Sequence, residues 1–260
     1  MSNFDRNASS AWSGGVARAG AGVDQGLRAY MLGVYNHMVL GLAITGLAAL
    51  GTNMLALAAD RSQAVAQIGN HLLTSFGAAV YTTPLRWVVM LAPLAFVFFF
   101  SFRIDKMSAS SARGVFFAFA AVMGLSLSTV LLVFTGESVI RVFFITSAAF
   151  AALSLFGYTT KRDLSAFGAF LIMGLFGLII ASVVNLFLQS SSLQWALSCI
   201  SILVFSGLTA WDTQSIKEMY FEGDGHEVMT KKSVNGALML YLDFINIFQS
   251  LLSLTGSRNN

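Results

Sequence analysis

Seven mostly apolar stretches, each long enough to cross a bilayer, follow one another along this chain. They cover roughly 30–58, 85–102, 114–134, 139–158, 166–188, 194–216 and 236–254, and a helical crossing takes roughly 17 to 25 residues. Hydrocarbon offers no water to the backbone N–H and C=O groups, so stretches of this kind have to be helices. Composition agrees. With 56% hydrophobic and only 10% charged residues, against about 25% charged in a typical soluble domain, the chain cannot coat a water-facing surface. The expected fold is all-α: an integral membrane protein whose seven transmembrane helices occupy residues 29–256. Residues 1–28 are small, polar and glycine-rich with no apolar core. They read as a flexible N-terminal tail rather than a cleaved signal peptide.

The basic residues fall in the connections. Eleven of the fifteen lie in the N-terminal tail and in the second, fourth and sixth connections: Arg6, Arg18 and Arg28, then Arg103, Lys106 and Arg113, then Lys161 and Arg162, then Lys217, Lys231 and Lys232. The positive-inside rule places that side in the cytoplasm, with the C-terminus outside. Scattered in this way, a net charge of +3 offers no cationic face to nucleic acid. The expected surroundings are the lipid bilayer. The single cysteine, Cys199, excludes an intramolecular disulfide. No phosphate-binding glycine loop, zinc-ligand spacing or nucleophile–histidine constellation stands out, so no cofactor and no enzymatic activity are expected.

Two carboxylates interrupt the last two spans: Asp212 in VFSGLTAWDTQSIK and Asp243 in LMLYLDFINIFQSLLSL. A charged carboxylate in the bilayer centre costs at least about 2.5 to 3.5 kcal/mol, so such residues face water or a partner. Asp212 lies about five residues from the inner end of its span and Asp243 about seven from its own; at 1.5 Å per residue their depths differ by only a few Å. Asp243, Asn246, Ser250 and Ser253 share one helical face. Ser198, Ser201, Thr209 and Asp212 form a looser stripe on the preceding span, although serines in such helices often bond only their own backbone. Gly124, Ser126, Ser128 and Thr129, and also Gly174 and Gly177, read as helix-packing residues. His37, inside the first span, suits either a proton relay or a neutral core position. The loop EGDGHE at 222–227 lacks the spacing of a calcium loop and reads as a solvated connector.

Taken together, AWDTQSIKEMY at 210–220 and LYLDFINIFQSLL at 240–252, supported by RAYMLGVYNHMVLGLAITG at 28–46 and GYTTKRDLSAFGAFLIMGL at 157–175, resemble the bacterial branch of the transmembrane Bax inhibitor motif family. The likeness covers residues 28 to 254. It implies a seven-helix fold in which six helices surround the last, and a pH-sensitive calcium leak across a bacterial inner membrane. The family's aspartate pair then falls on Asp212 and Asp243, and its helix-two arginine, which can latch onto the first aspartate, on Arg103. Some members carry an acidic residue about eleven positions before that arginine. Here Ala92 stands there, beside Pro93, a departure from the pattern.

Two carboxylates in contact inside a dry bundle cannot both be charged cheaply, so they are expected to share a proton. An Arg103 contact would instead favour ionised Asp212. The resulting expectation is a switch, with Asp212 and Asp243 as pH sensor and transient calcium station, Arg103 as latch, and Asn246 and His37 as auxiliaries. The blander reading is that the pair only locks the last two helices together and that Arg103 snorkels at a helix end. Two other functions compete: a membrane-embedded modulator of a membrane-anchored ATP-dependent protease, with the N-terminal tail as its handle, and an intramembrane aspartyl protease. The second lacks glycines before its second aspartate, where this chain has Leu240, Tyr241 and Leu242.

Overall fold

A computed structural model describes residues 25–259, apart from the side chains of residues 101 and 105. Its spans are α1 (Gln25–Ala56), α2 (Ser75–Thr82), α3 (Leu85–Arg103), α4 (Ala109–Val133), α5 (Gly136–Thr159), α6 (Ser165–Leu188), α7 (Ser191–Glu218) and α8 (His226–Thr255). Six of these helices are each long and apolar enough to cross a membrane; α2 and α3 qualify as a seventh span only together, bent by 67°. The bend falls at Pro84, between the two helices, where a proline ring excludes continuous helix. The expected all-α membrane bundle is therefore present, with its second span broken. The expected tail lies outside the described residues up to position 24.

Serine or threonine opens four of the helices. Thr74, Ser108, Thr135 and Ser190 each accept a hydrogen bond from the backbone N–H three residues on, which supplies one of the donors that a helix start leaves unpaired. Between α1 and α2 runs a small antiparallel hairpin, β1 (Ala66–Ile68) and β2 (His71–Leu73). Its two-residue turn uses Gly69 at φ +54°, a conformation without steric cost only for glycine.

The last helix is the central one. α8 packs against α7, α1, α5 and α4, and Val234, Ala237, Leu240 and Tyr241 have no exposed surface. α1 pairs with α4, and α5 and α6 both pack on α7. Lipid-facing positions carry Phe144, Phe170, Phe176, Phe187 and Leu203, the inverse of a soluble protein's surface. The start of α1 and the α3–α4, α5–α6 and α7–α8 connections gather at one end of the bundle, which is rich in lysine and arginine. The C-terminal residues pair with the α4–α5 turn at the other end, where Ser257 O accepts from Thr135 N–H and Val133 O from Asn259 N–H, at 3.0 and 2.9 Å.

Two glycines set how closely α7 is held. A Cβ at Gly157 of α5 would collide with the Ala210 carbonyl, and one at Gly168 of α6 with the Trp211 ring. Trp211 adjoins Asp212 in the chain and Ala210 lies two residues before it. Gly157→Leu should push α5 off α7 and cost about 1 to 3 kcal/mol of overpacking or more. A fall in the thermal midpoint of the purified protein, absent in a control at the open site Gly114→Leu, is the expected readout.

Candidate functional site

The site is built by the antiparallel pair α7 and α8, joined by residues 219–225. On α7, Thr209, Asp212, Thr213 and Ile216 recur at intervals of three and four and are all buried. On α8, Asp243 and Ile247 take the facing positions. The carboxyl groups of Asp212 and Asp243 lie within hydrogen-bonding reach of each other, and Asp243 also faces the Thr209 hydroxyl. Their side chains are nearly sealed, with 7% and 3% exposure. Oδ2 of Asp243 is buried and meets no donor. Among the described residues the one ion pair is Lys232 with Asp224, at the basic end, so neither acid of the pair is neutralised by a lysine or arginine. Two carboxyl oxygens can bond only through a proton.

The residues following Asp212 each bind something different. Thr213 Oγ1 donates to Thr209 O (2.7 Å) and contacts Ser154 Oγ of α5 (2.9 Å), which contacts Tyr35 Oη of α1 (2.7 Å). A hydroxyl has one proton, so the first bond fixes the direction of the others: Tyr35 donates to Ser154, and Ser154 to Thr213. Gln214 reaches the α5–α6 loop, where its Oε1 accepts from Leu164 N–H (2.8 Å) and its Nε2 donates to Arg162 O (2.9 Å). Lys217 Nζ donates to Tyr158 O at the end of α5 (2.9 Å) and lies 5.7 Å from the centre of the Tyr158 ring. Asp163 in that loop is held below the usual carboxylate range by hydrogen bonds from the Ser165 side chain and backbone. It therefore keeps its charge to lower pH than an unperturbed aspartate would.

Sequence reasoning brought Asp212 and Asp243 to one level, and the structure puts them together. It keeps the other expected participants apart. Arg103 ends α3 exposed, and among the described residues it has no ion pair with Asp212; α3 packs on α2 and α4. Asn246 Nδ2 donates to Leu242 O of its own helix (2.7 Å). His37 Nδ1 donates to Gly33 O (2.7 Å) and stacks on Phe117. Its nearest α8 group is Ser233 Oγ at 3.5 Å, ten residues before Asp243 and so about 15 Å away along the axis. Ser250 donates to Ser201 of α7 (2.9 Å), extending the polar seam toward the other end. The roles of Thr213, Gln214, Lys217, Ser154 and Tyr35 were missed in the sequence. The available signal was the run of polar residues directly after Asp212.

The chain's residues 27–260 match the family model described as inhibitor of apoptosis-promoting Bax1. The chain belongs to the Bax inhibitor family. It is 46% identical over 239 residues to protein RP147 of Rickettsia prowazekii, covering 91% of this chain and 93% of that one. It is 42% identical to a Caulobacter vibrioides protein over 92% of each chain, and 41% identical to the inner membrane protein YbhL of Escherichia coli over 90% of this chain and 93% of YbhL. The matched span takes in every residue of the Bax inhibitor site described above. Gln214→Leu would take away the partner of the Leu164 N–H and of the Arg162 carbonyl in this part-exposed loop, at about 0.5 to 1.5 kcal/mol for each hydrogen bond. Hydrogen exchange at the Leu164 amide should then speed up, and unchanged exchange would remove Gln214 from the architecture of the loop.

Proposed function

We propose that this Bax inhibitor family protein is a pH-sensitive calcium-leak channel of a bacterial inner membrane, and not an enzyme. The observation that carries the reading is the carboxyl–carboxyl contact of Asp212 and Asp243: two acids from adjacent helices, sealed from water, with no cation beside them. An inner-membrane setting is supported by the name of the related YbhL, and a cytoplasmic basic end by the positive-inside rule.

The sign of the pH response follows from the proton. While the pair holds one, Asp212 is satisfied by Asp243 and makes no claim on Arg103. When pH rises and the proton leaves, two charges face each other in a poorly hydrated layer, where repulsion is strong. Arg103 is then the cation that Asp212 can recruit, by drawing the end of α3 against α7 and closing the basic end. Flux therefore rises on acidification and falls as pH rises.

Calcium would use the pair only in passing. Ca²⁺ takes six to eight oxygen ligands, and among the described residues no group of three or more acidic, histidine or cysteine side chains gathers to hold a metal. Two carboxylates and a few hydroxyls make a weak station, as conduction requires, because the ion also has to leave. Between the pair and the Ser201–Ser250 contact, Phe205, Leu208 and Ile247 pack together at 8%, 4% and 1% exposure. That apolar layer is the closed gate, of the kind that opens by wetting.

Calcium entry into proteoliposomes, scanned across pH, tests these assignments together. Asp243→Asn should flatten the pH response, which in the native protein should amount to about fivefold or more for a typical coupling between sites. Arg103→Gln should leave flux high at alkaline pH, and Ile247→Ser should raise it at every pH. An Asp243→Asn protein with native flux and native pH dependence would reduce the pair to a helix lock and end the channel reading of it.

A further inference from the structure

A second feature lies behind α8, on the side away from the pair. A cavity of about 1490 Å³ separates α1 from α5, with Phe244, Ile245 and Phe248 of α8 as its floor. Along α1 it runs from Arg28 to Leu50, and along α5 from Gly136 to Tyr158. Each stretch rises about 33 Å at 1.5 Å per residue, against a hydrocarbon core about 30 Å thick. The cavity opens sideways, since α1 packs on α4 and α8 while α5 packs on α7 and α8. Rim residues Val39, Leu47 and Phe144 are 61%, 71% and 66% exposed.

We propose that this cleft is a binding site for an anionic phospholipid, with an acyl chain lying in it and the phosphate held at Arg28. Filled with water, the space would take about 50 molecules. Of the five hydroxyls in its wall four are engaged, Tyr35 and Ser154 with each other, Thr45 with Tyr241 and Ser147 with Phe143 O of its own helix, which leaves Tyr158, so water has few partners there. Left empty, the lining would forfeit its dispersion contacts. The fluid at the opening is acyl chain. A transmembrane helix is the poorer fit, because helices approach closely over small residues and this wall is dominated by leucine and phenylalanine.

Headgroup charge is set by Arg28, among the described residues the one charged side chain lining the cleft, with no aspartate or glutamate beside it there. Arg28 is exposed at the start of α1 and has no ion pair among the described residues. A guanidinium at the membrane interface is the side chain best suited to take a phosphate in a forked pair of hydrogen bonds. Neither Asp212 nor Asp243 lines the cleft, so the site stands or falls apart from the channel reading.

Phosphatidylglycerol with a diazirine in its acyl chain, in phosphatidylcholine nanodiscs holding the full chain, tests this. After illumination, adducts mapped by mass spectrometry should concentrate at cleft residues such as Val39, Ala43 and Ser147. Ala151→Trp or Ala43→Phe, which fill the space, should remove them. Arg28→Gln should lower the phosphatidylglycerol adduct about fivefold, the contribution of one basic side chain near an anionic headgroup, while a phosphatidylcholine probe labels as before. Labelling spread evenly onto Phe170 and Phe176 of α6 would overturn the site. Should the filling variants misfold, Arg28→Gln decides: unchanged phosphatidylglycerol labelling refutes the site.

Discussion

The contact between Asp212 and Asp243 is bonding only while it contains a proton, and α7 and α8 are docked across it. Each acid would be costly alone at this depth. Together they remove each other's need for water but not the need for that proton. The contact also fixes helix register. Moving from Asp212 back to Ser201 on α7, and from Asp243 on to Ser250 on α8, leads to a second polar contact, Ser250 to Ser201 at 2.9 Å. Apolar side chains pack between the two. A one-residue slip of either helix would swing these groups by about 100° and leave four polar side chains unpaired in a dry interface.

α7 is the fixed member of the pair. Within six residues of Asp212 it is bonded to α5 through Thr213 and Lys217 and to the α5–α6 loop through Gln214, at 2.8 to 2.9 Å. It is also pressed by Ala210 and Trp211 onto glycines that leave no room for a Cβ. On the facing stretch of α8, Asn246 spends its amide on its own backbone, and the contacts are otherwise mostly apolar. When the pair loses its proton, α7 cannot yield without breaking several bonds at once. On the proposed channel reading, relief then falls to whatever cation is free to approach, which is the physical basis for giving Arg103 a place although it stands clear of Asp212 in this arrangement.

Much of this was legible in the sequence because the bilayer is a stern solvent. Apolar length gave the spans, and the rarity of intramembrane carboxylates singled out Asp212 and Asp243. Equal distance from the span ends put the two acids at one level. Depth says nothing about azimuth, however. Arg103 could be assigned the right end of the bundle and still point away, and His37 the right hydrophobic setting while serving α1 and Ser233. The break at Pro84 was hidden because hydropathy sums over a bend without registering it. Thr213, Gln214 and Lys217 escaped notice for a related reason: their partners are backbone carbonyls, a backbone N–H and a serine on α5 and its loop, and no periodicity in α7 reveals what another helix presents to it.

The central place of α8 explains why polar residues are so few and so particular along its enclosed middle, residues 237–248. With no exposed residue in that stretch, it has no outward face on which to discard polarity. Its Phe244 and Phe248 meet Phe143 and Phe150 of α5. Tyr241 packs edge-on against Phe116 and Phe119 of α4 and ties its hydroxyl to Thr45 of α1 at 2.6 Å. Asp243 and Ser250 are left for α7. Tyr241 shows what a merely structural match looks like: a neutral donor meeting a neutral acceptor. Asp243 could have been matched as simply by an asparagine on α7. It meets another acid instead, in a pairing held by a shared proton, and that choice sets this contact apart from those of Tyr241 and Ser250.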